Sequence, residues 1–202
     1  MKKIIENYMP VAELEISNSK PNGDSASPKE LIFHILKNND ELVSVLDVGF
    51  GAGGLGRLVK SYPPSNHWSI DGIDGWKPNC NNVELFNLNI YRNVWHGMAQ
   101  DLPKEVLAEY KIICLLDVIE HLDAESAKWL IRTLLMNMGE NAFLFVSTPL
   151  WFYPQAEQQN GDLEAHLIGI PASSMMAMLP IMYAVNKPLI GGFVYDKKSL
   201  QY

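Results

Sequence analysis

From Leu42 onward, short apolar runs alternate with longer mixed segments, a spacing that predicts successive β-strand and helix units around a parallel sheet. Strands are expected near residues 43–48, 68–73, 92–97, 111–116 and 142–147. Between the last two, "DAESAKWLIRTLLMNM" sets Leu130, Leu134 and Leu135 on one helical face behind an acidic first turn at Asp123 and Glu125, and Gly139 suits the end of that helix. Ahead of the first strand, "SPKE" at 27–30 joins a Ser N-cap, Pro at the first helical position and Glu three residues after the cap, which predicts a helix through "LIFHILKNN". His34 falls within its apolar periodicity and reads as a packing residue. After the fifth strand comes a long loop, "STPLWFYPQAEQQNGD", then a helix expected from Leu163 and broken by Pro171. The end of the chain, "IMYAVNKPLIGGFVYD", predicts two strands joined by a turn around Asn186 to Pro188. No internal repeat interrupts this order.

Composition narrows the picture. The 202 residues, 48% of them hydrophobic, are enough for one sizeable core. The polar stretch "SNSKPNGDSAS" sets off an N-terminal arm, 1–26, from a single domain, 27–202. Sixteen basic against 23 acidic residues give a net charge of -7, which would repel a polyphosphate backbone. The strongest basic pairs, Lys2-Lys3 and Lys197-Lys198, lie near the two ends, so nucleic acid is not expected as a partner. Cys80 and Cys114 have neither CxxC nor ligand-like spacing to histidine, which argues against a disulfide framework or a structural zinc site. Glu6, Pro10 and Glu13 interrupt any signal-like apolar stretch, and no run approaches membrane-spanning length. A soluble cytoplasmic protein, monomer or homodimer, is expected.

The candidate chemistry begins in "DVGFGAGG", residues 47–54, directly after the first strand. Gly49, Gly51 and Gly54 fit G-x-G-x-x-G and Asp74 follows 20 residues later, so the dinucleotide fingerprint is formally present. Asp47 discriminates. A dinucleotide brings a pyrophosphate to such a turn, where an unpaired carboxylate adds repulsion. S-adenosylmethionine (SAM) brings a sulfonium and an ammonium instead, and a nearby acid favours them by a few kcal/mol, as a rough Coulomb estimate. Asp74 suits either cofactor, because both offer ribose hydroxyls to a carboxylate.

"VLDVGFGAGGLGRLV", followed by "GIDGW" and "YKIICLLDVIEHL", resembles the class I SAM-dependent methyltransferase family from about Val43 to Val146. A weaker similarity continues through "STPLWFYPQ" and "NGDLEAHLIGI", as in an uncharacterised bacterial and archaeal subgroup. The resemblance implies a Rossmann-like, doubly wound α/β fold: a mostly parallel seven-stranded sheet with helices on both faces and an antiparallel C-terminal hairpin. It implies SAM as cofactor, with Asp47, Gly49 and Gly51 at the methionine end and Asp74 on the ribose. Gly75 and Trp76 would then lie beside the adenine edge, and Asp117 would face the methionine portion. The family commonly has an acid after the glycine of "HGMAQDLP"; here that position is Met98, so adenine is expected against Met98 and the backbone of Ala99. Asp101 either substitutes for the missing acid or caps the next helix.

For the methyl acceptor, the expectation is a small molecule or a sugar-like hydroxyl, which needs a base. Glu120 and His121 in "DVIEHL", and Glu164 and His166 in "GDLEAHLIGI", are the candidates. On a helix, Glu164 and His166 would point to different sides. His96 and His67 read as packing or surface residues. No histidine–carboxylate group shows metal-ligand spacing, so no metal is expected. Trp151, Phe152 and Tyr153 fall in a loop expected over the site, as acceptor pocket or dimer contact, whereas Met175, Met176 and Met178 read as packing residues. No G-x-S-x-G occurs, which excludes the usual hydrolase arrangement. Two other readings stay open: an NAD-dependent oxidoreductase, disfavoured by Asp47 and by the lack of a Tyr-x-x-x-Lys pair, and a catalytically silent SAM-binding or interaction module.

Overall fold

Each of the five apolar runs becomes a parallel strand: β1 Ser44–Val48, β2 Ser69–Asp74, β3 Asn93–His96, β4 Ile112–Leu116 and β5 Phe143–Pro149. The expected hairpin follows as β6 Met182–Asn186 and β7 Ile190–Tyr195. The seven strands form one sheet in the order β3-β2-β1-β4-β5-β7-β6, with β7 inserted antiparallel to β5. The structure, a computed structural model, describes residues 26–36 and 42–197; nearly all of the expected arm lies outside the described residues.

Alternation along the strands splits the core into two layers, because successive side chains leave opposite faces of a sheet. Leu46, Ile113, Leu144 and Val146 enter one layer, with Leu130, Leu134 and Leu135 of the long helix. Val45, Ile112, Cys114 and Phe145 enter the other, with Leu31, Ile32, Leu55 and Val59. In chain order the helices are α1 Ile32–Ile35, α2 Gly54–Ser61, α3 Lys77–Cys80, α4 Val83–Asn87, α5 Lys104–Leu107, α6 Ala124–Asn137 and α7 Ala172–Met176. The acidic start of α6 works as expected: Asp123 Oδ1 accepts the backbone N–H groups of Glu125 and Ser126, both at 3.0 Å. No described helix is long and apolar enough to cross a membrane.

Two helix expectations need correction. The first helix begins as a 3₁₀ turn, Lys29–Leu31, whose cap is Pro28 rather than Ser27, and its α-helical part ends at Ile35 with Leu36 extended; residues 37–39 of the expected helix lie outside the described residues. Pro28 packs directly on Gly192 of β7, which holds the entry to the turn against the sheet. The helix expected from Leu163 is absent. Asp162 is the reason: Oδ2 accepts the N–H groups of Gln158 and Gln159, and Oδ1 accepts that of Glu164, fixing a turn that competes with helix. Residues 163–170 run as an irregular loop, and Pro171 caps α7 instead of breaking a helix.

Candidate functional site

The chain winds outward from β1 in both directions, through β2 and β3 on one side and β4 and β5 on the other, so the carboxyl ends of β1 and β4 form a switch point. Crevices there are where open α/β sheets hold ligands. The glycine turn after β1 follows from two close approaches. Gly49 has φ +69°, and a Cβ on it would lie 2.5 Å from Val118 Cγ2. Gly51 sends its N–H to Asp74 Oδ2 at 2.9 Å, which ties the turn to the end of β2. Phe50, between them, packs on Gly72 and Tyr91 and anchors the turn in the core.

Above this point lies a cavity of about 510 Å³, in the range that holds a cofactor-sized ligand. Six carboxylates line it: Asp47, Asp74, Asp117, Glu120, Asp162 and Glu164. Lys29 is the one lysine or arginine among the described lining residues. Asp47 is buried and accepts the Tyr91 hydroxyl at 2.7 Å. Burial pushes its carboxyl up to about 7, against the pull of the Tyr91 hydrogen bond; Asp74 raises it further and Lys29 lowers it. Burial also raises Asp74, opposed by three donors, the N–H groups of Trp76 (2.8 Å) and Gly51 and the Asn79 amide (3.1 Å). Glu164 is pushed up to about 7 by burial and by Asp162 and Asp74. Asp117, at φ +53°, accepts Ser147 Oγ–H at 2.6 Å.

The loop after β5 folds back over the other end of the cavity. Leu167 and Ile168 donate their N–H groups to the Glu120 carbonyl at 2.8 and 3.3 Å, stapling the loop to the 3₁₀ turn Ile119–His121. His166 thereby meets His121, ring centroids 4.8 Å apart, and one ligand-type atom from each of Glu120, His121 and His166 lies within 4.8 Å of the others. The fold thus brings together a carboxylate and two imidazoles that show no ligand spacing along the sequence. Glu164 and His166 sit not on a helix but on a loop that turns both toward the cavity. His121 Nδ1 bonds the Ala165 carbonyl at 3.1 Å, and His166 Nδ1 bonds that of Tyr153 at 2.6 Å. A carbonyl only accepts, so each ring sets an Nδ1–H donor against the loop backbone. Burial lowers His121 below the usual histidine range, and burial together with Asp117 raises Glu120 well above the usual carboxylate range.

Of the residues named from sequence, Asp47, Gly49, Gly51, Asp74, Gly75, Met98, Ala99, Asp117, Glu120, His121 and His166 all line this one cavity. Trp76 does not. Its ring is buried, and its contribution is the N–H that holds Asp74. Asp101 neither lines the cavity nor caps a helix: it is exposed in a 3₁₀ turn, and the cap of α5 is Pro103. Gly75 lies under Met98 and Leu163, since a Cβ there would meet Met98 Sδ at 2.8 Å and Leu163 Cδ1 at 2.9 Å. Trp151 and Tyr153 line the cavity, while Phe152 packs on Gly169. Sequence reasoning did not find Lys29, Tyr91 or Asn79; Tyr91 and Asn79 are aimed by the packing of neighbouring strands and turns, which leaves no local pattern.

No family model and no curated protein matches the chain. Solved structures do. An S-adenosylmethionine-dependent methyltransferase from Clostridium acetobutylicum is 10% identical and aligns with a TM-score of 0.60 over 83% of this chain and 89% of its own. The N-terminal domain of EvdMO1 with SAH bound is 14% identical, with a TM-score of 0.56 over 84% and 80%. A Rhodobacter sphaeroides protein described as a Zn-dependent alcohol dehydrogenase is 13% identical, with a TM-score of 0.60 over 87% and 89%. The antiparallel β7 between β5 and β6 separates this sheet from the 3-2-1-4-5-6 order of dinucleotide-binding domains. The fold is that of the class I methyltransferases. At these identities the likeness carries the fold alone.

Proposed function

We propose that this chain is a SAM-dependent methyltransferase whose acceptor is a hydroxyl of a small, sugar-like molecule. One observation carries the cofactor half: six carboxylates against one lysine around a cavity at the switch point. A pyrophosphate would meet the ionised members of that lining as like charge, whereas a sulfonium and an ammonium draw the raised carboxyls Asp47 and Glu164, at about 7, into their charged form. The NAD-dependent alternative is disfavoured on the same ground.

When bound, SAM supplies an electrophilic methyl group on a sulfonium that becomes a neutral thioether as the methyl departs. The chain's own work is alignment and exclusion of water. Asp47 and the Gly49–Gly51 backbone hold the methionine end. Asp74 Oδ1 accepts one N–H, from Trp76, and retains acceptor capacity for a ribose hydroxyl. Met98, Leu163 and the backbone of Ala99 enclose the adenine. Trp151 and Tyr153 shield the acceptor side, where Glu120, His121 and His166 receive and activate the hydroxyl.

Methyl-labelled SAM incubated with the protein and fractionated small-molecule extracts tests this reading. Label is expected in a polar, hydroxyl-bearing product, released as methanol only after ether cleavage. Tight SAM binding with no labelled product across the extracts would favour the silent module.

A further inference from the structure

We propose that Glu120, His121 and His166 form a binding site for one divalent transition cation, Zn²⁺ or Mn²⁺, on the acceptor side of the cavity. Its role in activating an acceptor hydroxyl rests on the methyltransferase reading; the site itself does not.

Three independent features converge there. The first is grouping: a carboxylate and two imidazoles, 45 residues apart in the chain, offer ligand atoms within 4.8 Å of one another. Bonds of about 2.1 Å in tetrahedral geometry set ligand atoms roughly 3.4 Å apart, so the three side chains close by at most about 1.4 Å on a cation. The second is orientation. Each histidine ring is held by Nδ1 against a backbone carbonyl of the loop, Ala165 for His121 and Tyr153 for His166, and in the tautomer with the proton on Nδ1 the other ring nitrogen is the one that can bind a metal. Carbonyl partners of this kind fix tautomer and ring direction in metal sites. The third is an unmet need. Glu120 is buried; Thr148 donates to Oε2 at 3.1 Å, while Oε1 has no hydrogen-bond partner in the described structure. A buried oxygen without a partner is unfavourable, and a cation satisfies it.

The donor set selects the metal class. Two imidazoles and one carboxylate suit Zn²⁺ or Mn²⁺, whereas Mg²⁺ and Ca²⁺ prefer all-oxygen shells. Three protein ligands leave at least one position open to the cavity, where an oxygen of water or of a hydroxyl-bearing molecule completes the shell. Loop 150–170 carries His166 and both carbonyls, so it assembles the site only when folded onto Glu120.

The test is isothermal titration of the untagged, chelator-stripped full chain with ZnCl₂ and with MnCl₂ in the absence of SAM, with metal content read by mass spectrometry. One cation per chain is expected, with affinity reduced at least ~10- to 100-fold in His121→Ala and in His166→Ala, and unchanged in His67→Ala, an exposed histidine elsewhere. Circular dichroism of each variant confirms folding, and His166, on the surface loop, is the arm least coupled to the core. No uptake of either cation, or uptake that survives both cluster variants, overturns the proposal. Cation uptake without SAM binding would uphold the site and remove the methyltransferase reading.

Discussion

Asp47→Asn takes one negative charge out of the cavity and keeps an acceptor for the Tyr91 hydroxyl, 2.7 Å away. Burial holds the Asp47 carboxyl at about 7, from an ordinary 3.8, whereas a cation selects its ionised form. A single group titrating at 7 is about nine-tenths protonated at pH 6 and about one-tenth at pH 8. SAM affinity therefore falls about tenfold from pH 8 to pH 6, and binding at pH 6 releases about 0.7–0.8 proton. At pH 8, a full charge about 6 Å from the ligand cation, in an effective dielectric of about 20, contributes roughly 2–3 kcal/mol, or about 30- to 150-fold in affinity. The substitution acts in the opposite direction on the free protein. Between pH 3.8 and about 7 the native state binds more protons at this site than the unfolded chain does, so stability falls as pH rises through that window. Asn relieves at most ~4 kcal/mol of that loss at pH 8. The assay is isothermal titration at pH 6, 7 and 8 in two buffers of different ionisation enthalpy, with urea unfolding of the free protein alongside. Glu164 titrates in the same range, so Glu164→Gln is the parallel arm. Asp47→Asn that keeps wild-type affinity, proton release and stability would show that Asp47 carries no charge toward SAM.

Tyr91→Phe removes the hydrogen bond that pulls Asp47 down, so the midpoint of the SAM affinity–pH curve moves up by about one unit in the same titration. Gly49→Ala meets both a left-handed backbone and Val118 Cγ2 at 2.5 Å; urea unfolding is expected to show a loss of ~2–3 kcal/mol, together with loss of SAM binding. Asp71→Ala strips the acceptor from the Arg92 guanidinium, the Asn93 backbone and amide, and the Tyr110 hydroxyl, at 2.5–3.0 Å. Asp71 is buried while the Arg92 side chain is half exposed, so a loss of ~2–3 kcal/mol follows, mostly from the Asn93 and Tyr110 donors left unsatisfied, measured by the same unfolding, with SAM affinity unchanged in the folded fraction because Asp71 does not line the cavity.

The strands were legible because both faces of this sheet are covered, so β1, β4 and β5 read as nearly continuous apolar runs. The acid at the tip of β1 was legible because its meaning depends on one turn. What escaped was anything set by a distant partner. Trp76 follows Asp74 by only two residues, yet its extended backbone at the start of α3 turns the ring into the core instead of toward the cavity. The apolar spacing after Leu163 imitates a helix, and only the Asp162 carboxylate, binding three backbone N–H groups, overrides it. That same override brings His166 onto His121. A metal-type group split between residues 120–121 and 166 has no spacing signature, because the loop that closes it is held by long-range backbone bonds from Leu167 and Ile168 to the Glu120 carbonyl and by the turn that Asp162 fixes.

The carboxylates around the switch-point cavity favour a cationic nucleoside over a phosphorylated one. Isothermal titration of the same protein preparation with SAM and with NAD, at pH 8 and low salt, tests it most directly. Saturable SAM binding with no measurable heat from NAD is the expected result; saturable NAD binding with none from SAM would contradict the account.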